Sequence, residues 1–141
     1  MRIYACIITK DDTELKSLGR CLDSVAPHVD GTYVTSTGEN IKGIQKLCID
    51  NNIHYSHFPW NDSFADARNF NFAQAPQDAD YIFWMDADDI LVNGKLLKSV
   101  AEVAKENSKD IVFFTYWYAC VFDGEPAIDT LEKVDIQQMR E

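Results

Sequence analysis

Short apolar runs alternate with segments of helical period through most of the sequence, and this alternation restricts the chain to few folds. Ile3 to Thr9 (IYACIIT) is apolar throughout and ends in Lys10, Asp11 and Asp12, the pattern of a buried strand feeding a loop. Asp11 is placed to cap a helix in which Leu15, Leu18, Leu22 and Val25 recur at helical spacing until Pro27. A strand at Thr32 to Ser36 follows, then a helix marked by Ile41, Ile44, Leu47 and Cys48, then a strand at His54 to Phe58. Asp62 or Ser63 opens a third helix bearing Phe64, Ala67 and Phe72, which ends near Pro76.

Tyr81 to Met85 (YIFWM) is the most β-like run and is expected to be a central strand. After Asn93-Gly94 a helix is predicted with Leu96, Leu97, Val100, Val103 and Ala104 inward, followed by a long strand from Ile111 to Phe122 that Asp123-Gly124 turns. Strands alternating with helices predict an α/β layered domain, Rossmann-like, with a mostly parallel central sheet flanked by helices and right-handed crossovers. Ligands of such sheets bind at the carboxyl ends of the strands. The segment from Glu125 to Glu141 is compatible with a strand or a closing helix.

The 141 residues, 46% apolar and 26% charged, suit one globular domain with a real core, and no repeat or linker marks an internal boundary. A formal net charge of -10 opposes binding to nucleic acids and anionic membranes. An acidic protein that handles a phosphate substrate needs local screening of its own field, and a bound metal supplies it. Cys6, Cys21, Cys48 and Cys120 form no C-x-x-C pair and read as buried thiols in a reducing compartment. With no signal h-region and no 18-residue apolar stretch, a cytoplasmic location is expected.

Asp86-Ala87-Asp88-Asp89 follows the apolar run directly. In an extended segment residues i and i+2 point the same way, so Asp86 and Asp88 are expected to project together. Two adjacent carboxylates repel unless a cation or proton intervenes, and hard oxygen ligands favour Mg²⁺ or Mn²⁺. The same residues also suit an acidic loop that caps the next helix. Trp60 to Asn69 (WNDSFADARN) places Arg68, a planar fork suited to phosphate or a base edge, about one and a half turns into a helix. A surface ion pair of Arg68 with Asp62 or Asp66 is the alternative. Thr9 to Asp12 and Thr35 to Glu39 fall where a doubly wound sheet presents groups to a nucleotide, and both also suit ordinary polar turns. His28, His54 and His57 lack metal-ligand spacing, Trp84 and Trp117 read as core aromatics, and no Walker loop, G-x-S-x-G or dinucleotide fingerprint occurs.

Taken in order, ACIITKDDTELKSLGRCLDSVAPHVDGTYV, HFPWNDSFADARNFNFAQA and YIFWMDADDIL resemble the N-terminal, nucleotide-sugar-binding part of family 2 glycosyltransferases, which adopt the GT-A fold. The resemblance covers residues 3 to 108. It implies that Thr9 and Lys10 border the nucleotide pocket, that Asp62 and Arg68 help hold the base and diphosphate, that Asp86 reaches the ribose or the metal, and that Asp88 ligates the metal. It further implies a metal-dependent glycosyltransferase of hexosyl type with Mn²⁺ or Mg²⁺, taking a UDP-sugar as first choice. Transfer to an acceptor that is a saccharide, lipid or protein would proceed with inversion.

The sequence departs from the family pattern in two places. Ser36 stands before Thr37-Gly38, where many relatives have an acid, so a carboxylate for the base or ribose is replaced. Relatives also continue into an acceptor-binding half with an Asp or Glu general base. Asp123, Glu125 and Asp129 match no such segment, so no catalytic residue is assigned. A truncated, non-catalytic nucleotide-sugar binder, or a part that works with a partner chain, is the second reading. A haloacid-dehalogenase-like phosphatase also carries D-x-D after a buried strand, but expects Thr where Ile90 stands.

Overall fold

The computed structural model describes residues 1–114, together with the strand backbone at 121–122 and 125–126. The chain forms two compact units, Met1–Glu102 and Val103–Glu141. In the first, β1 (Ile3–Thr9), β2 (Gly31–Ser36), β3 (His54–His57) and β4 (Tyr81–Trp84) form one sheet in the order β3-β2-β1-β4. All three pairings are parallel, with Thr9 beside Ser36, Ser36 beside His57, and Cys6 beside Trp84. The predicted α/β architecture is the one observed. The described order ends at β4, and its expected central position turns on residues outside the described ones.

Alternation along β1 explains how the layers form. Ala5 and Ile7 face one way and join Val34 from β2 in a core closed by α1 (Leu15–Val25) and α2 (Lys42–Asp50), through Leu18, Leu22, Val25 and Ile44. Tyr4 and Cys6 face the other way and pack with Tyr33 and Ala75 beneath α3 (Phe64–Gln74). Both faces of β1 are therefore covered, as a continuous apolar run requires.

Two polar side chains, Asn71 and Thr35, meet inside the second layer. Asn71 is fully buried on α3, where its Nδ2 donates to the Tyr33 carbonyl (3.1 Å) and to Thr35 Oγ1 (2.9 Å). Asn is a poor helix-interior residue, so tertiary bonds rather than propensity hold it there. Sequence reasoning did not single it out, although its spacing of four from buried Ala67 continues the inward stripe.

Three expectations need correction. Trp84, read as a core aromatic, is 54% exposed and carries Arg68 over its ring. In α4 (Leu97–Glu106), Leu97, Ala101 and Ala104 are the buried positions, whereas Val103 is 58% exposed. The inward face follows the i, i+4, i+7 spacing, and Val103 lies one residue off it. Ile111 to Phe114 form no strand, and Ile111 and Phe113 are 71% and 88% exposed. Strand propensity reflects fit to a half-buried pleated surface, which the exposed Ile111 and Phe113 do not make. The middle of that expected strand, with Trp117 and Cys120, and the Asp123-Gly124 turn lie outside the described residues, as does most of the segment from 125 to 141. Val121–Phe122 (β5) pairs antiparallel with Glu125–Pro126 (β6).

Replacing Asn71 with Ala removes both donated bonds and leaves a void. The expected loss is about 2–4 kcal/mol of unfolding free energy, read from urea denaturation at unchanged m-value. A loss below about 0.5 kcal/mol would show that the buried amide contributes nothing net.

Candidate functional site

The strand order defines a crevice. From β1 the chain steps outward to β2 and β3 with α1 and α2 on one face, then returns through α3 on the opposite face to place β4 on the far side of β1. The order reverses between β1 and β4, and in open α/β sheets ligands bind outside the carboxyl ends at that point. Thr9 ends β1 there and Lys10 follows it, and Asp86 lies just beyond β4.

Backbone bonds tie the loops of this rim together. Thr37 N–H donates to the Thr9 carbonyl (3.0 Å), Gly38 N–H to the Lys10 carbonyl (2.7 Å), and Trp60 N–H to the Thr37 carbonyl (3.1 Å). At Gly38 a Cβ would meet the Lys10 carbonyl oxygen at 2.7 Å and Asp11 Cβ at 2.9 Å, so this approach needs glycine. Thr9 is buried, and its hydroxyl donates to Glu14 Oε2 (2.9 Å); Lys10 is exposed. Ser36, in the position of the replaced acid, is fully buried and hydrogen-bonded to Tyr55 OH (2.6 Å) and His57 Nδ1 (3.0 Å).

The chain satisfies its own helix starts. Asp11 accepts from the backbone N–H of Thr13 (3.0 Å) in the turn leading into α1, and Thr13's hydroxyl and then its N–H hold the Asp11 carboxyl below its ordinary range. Asp12 accepts from Gly43 N–H (2.8 Å) and Ile44 N–H (2.9 Å), closing α2 from outside. Ser63, not Asp62, caps α3 by accepting from Asp66 N–H (3.1 Å). These donors, which elsewhere receive phosphate, are already engaged.

Three carboxylates meet at the end of β4. One oxygen from each of Asp86, Asp88 and Asp89 lies within 4.8 Å of the others. A turn rather than an extended strand gathers them, because Asp89 N–H donates to the Asp86 carbonyl (3.0 Å) and Asp86 N–H to Asp89 Oδ2 (3.3 Å). The expected approach of Asp86 and Asp88 is present by this different local geometry, and it brings in Asp89, which sequence reasoning assigned no ligand role. Burial holds the Asp89 carboxyl above its ordinary range; the Asp86 N–H opposes this, and the Asp86 and Asp88 charges add to it. Beneath the turn, the Cys21 thiol donates to the Asp86 carbonyl (3.6 Å) and is pushed up to about 12 by burial and then by the Asp89, Asp88 and Asp86 charges. An all-oxygen carboxylate set of this kind fits Mg²⁺ or Mn²⁺.

Arg68 reaches this cluster from α3. Its Nη2 donates to Asp86 Oδ1 (3.2 Å), and its guanidinium carbon sits 4.7 Å from the Trp84 ring centroid. The side chain is 17% exposed, and its Nη1 is buried with no hydrogen-bond partner among the described residues. Burial pulls the guanidinium pKa down while Asp86 opposes the shift. The alternative ion pairs are not made: Asp62, at a left-handed φ of 66°, accepts from Trp60 Nε1 (3.2 Å), and Asp66 accepts from Asn61 Nδ2 (2.9 Å). The structure thus joins Arg68 to Asp86, Asp88 and Asp89, and ties Thr9 and Lys10 to the β2 loop. Asp62 is held separately by Trp60. A cleft of about 400 Å³ lined by Ile3, His28, Asp30, Gly94 and Lys95 lies at the amino end of β1, away from this rim.

An open parallel α/β domain with an acid cluster at its strand-order reversal is the class that fold and site define. The chain belongs to glycosyl transferase family 2, whose profile matches residues 5–131. No curated protein matches the chain. Among solved structures, residues 1–349 of S. aureus TarS are similar at TM-score 0.55 and 19% identity, both alone and in complex with UDP, over 77% of this chain and 33% of that one. The longer S. aureus TarS structure is similar at the same TM-score and identity over 20% of its length. The chain therefore spans about a third of the shorter TarS structure, and the likeness is one of GT-A-type fold.

Gly38→Ala forces the Lys10 carbonyl away from its bond. The expected cost is about 1–3 kcal/mol of stability, with Gly38→Ser no better. Urea unfolding midpoints unchanged within error would show that the two loops need no such close approach.

Proposed function

We propose that this chain is the nucleotide-sugar-binding part of a glycosyltransferase and that residues 1–141 act as one functional domain. The family profile runs across the boundary between the two compact units, which supports the single-domain reading. The observation that carries the assignment is the meeting of Asp86, Asp88, Asp89 and Arg68 at the reversal of the strand order. A nucleoside diphosphate needs cationic partners at such a rim. With the 3-10 turn before α1 capped by Asp11, α2 by Asp12 and α3 by Ser63, a bound cation, Arg68 and Lys10 are the candidates to supply them among the described residues.

In this reading Asp86 and Asp88, with Asp89 beside them, hold Mn²⁺ or Mg²⁺. When bound, the metal supplies Lewis-acid stabilisation of charge on the departing diphosphate. Arg68 grips the diphosphate with Asp62 helping to hold the base, and Thr9 and Lys10 border the nucleotide pocket. UDP is the first choice of nucleotide, in keeping with the UDP complex of the structurally similar TarS. Transfer to a saccharide, lipid or protein acceptor with inversion requires a carboxylate base, and none is assigned. Among the described residues no helix is long and apolar enough to cross a membrane. Buried, unbridged Cys6, Cys21 and Cys48 fit a reducing, cytoplasmic setting.

A thermal-shift screen of nucleoside diphosphates and their sugars, with and without Mn²⁺, tests the reading. UDP with Mn²⁺ is expected to stabilise the chain by about 2.7 kcal/mol at a hundredfold excess over Kd, and Asp88→Asn should remove the metal-dependent part. Metal binding needs ionised carboxylates, and Asp89 titrates above its ordinary range. The metal-dependent shift should therefore be full at neutral pH and fade as pH falls through the carboxylate range, with Asp89 protonating early. Stabilisation by no nucleotide at all defeats the proposal. Binding without sugar transfer or slow release of free sugar would leave a non-catalytic binder.

A further inference from the structure

Arg68 is an unusual partner for a cluster of carboxylates that suits a metal. It is mostly buried, yet among the described residues it makes a single 3.2 Å bond to Asp86 rather than a two-pronged fork, and its buried Nη1 finds no hydrogen-bond partner there. A buried donor left unpaired is costly, so this is a poor permanent structural ion pair. Asp86 meanwhile is 60% exposed and belongs to the three-carboxylate group. One carboxylate thus serves two cation sites, the guanidinium from α3 and the opening among Asp86, Asp88 and Asp89.

We propose that Arg68 is a built-in counter-ion of the acid cluster that exchanges partners on binding. It competes with the metal for Asp86 in the free protein and moves its charge to the diphosphate when the nucleotide arrives. The inference rests on the metal and nucleotide reading above and adds to it a coupling between the two ligands. Two like charges near one carboxylate repel, so the metal alone binds weakly. A diphosphate accepts from both cations and removes the conflict, so each ligand tightens the other by the same factor. Release from Asp86 also frees Nη2 beside Nη1, giving the two-pronged grip on phosphate that the free state lacks. Contact with the Trp84 ring keeps the guanidinium near the cluster during the exchange.

The test is Mn²⁺ titration of the 141-residue chain, followed by the electron paramagnetic resonance of free Mn²⁺, with and without UDP. Arg68→Gln removes the charge at similar length, and Arg68→Lys keeps the charge without the fork. Arg68→Gln is expected to tighten Mn²⁺ binding in the absence of nucleotide by roughly three- to tenfold, while Arg68→Lys stays near the parent value. With UDP present the parent should gain Mn²⁺ affinity, and Arg68→Gln should lose most of that gain. In the unaltered chain, the Arg68 Nε–Hε resonance should move on titration with Mg²⁺ alone and move again on adding UDP. This measurement decides the matter even where Arg68→Gln fails to fold. Mn²⁺ binding that is unchanged or weaker in folded Arg68→Gln, or an Arg68 resonance indifferent to Mg²⁺, overturns the exchange while leaving the metal site intact. No metal binding to any form, the parent included, overturns the metal reading and the exchange with it.

Discussion

Strand β1 is paired along both edges and covered on both faces, and the rim depends on that confinement. Its register with β2 sets Thr9 beside Ser36, and its register with β4 sets Cys6 beside Trp84. A slip of one residue would reverse every side chain, exposing Ala5 and Ile7 and burying their neighbours in the wrong layer. The position of the Asp86 turn relative to the Thr9–Lys10 loop therefore follows from packing far below it. The chemistry at the rim is placed by apolar contacts that take no part in it.

On that frame the electrostatics follow from what each layer leaves over. The helices close their own ends with Asp11, Asp12 and Ser63, so a large share of the chain's acidity near the rim is spent on backbone donors. Of the three carboxylates in the β4 turn only Asp89 accepts a backbone N–H among the described residues, that of Asp86, and the mutual repulsion of Asp86, Asp88 and Asp89 makes the cluster receptive to a cation. Arg68 answers only part of that charge. Family 2 membership and the GT-A-type sheet give these groups a common setting, and the packing of α3 sets Arg68 against Trp84 and Asp86.

The layered fold was legible because its strands and helices differ in period. The IYACIIT run and the Leu15–Leu18–Leu22–Val25 stripe each carry one clear spacing, and the fold places them as that spacing requires, whereas the β4 run forms its strand but leaves Ile82 and Trp84 exposed. The Asp86–Asp88 pair was legible as well, but for the wrong local reason. A strand-like alternation was assumed, whereas a turn closes on Asp89, and a three-residue motif does not encode its own dihedral angles. Arg68's choice of Asp86, 18 residues away, over Asp62 and Asp66 on the same segment was not readable. It depends on where α3 crosses the sheet. Asn71 escaped notice because a polar residue in a helix is ordinarily read as exposed, and only the carbonyl and hydroxyl of β2 make its burial tolerable. Ile111 to Phe114 show the opposite failure, in which residues of strong strand propensity form no strand and Ile111 and Phe113 stay exposed.

Asp12 belongs to the loop after β1 but caps α2, while its own N–H donates to the carbonyl of Asn40 (2.8 Å) just ahead of that helix. Two connections that are distant in sequence are thereby riveted into a single plate. Lengthening either connection by a residue would pull on the other. Outward side chains such as Lys10 and Glu39 take no part in that tie and can be exchanged without straining it.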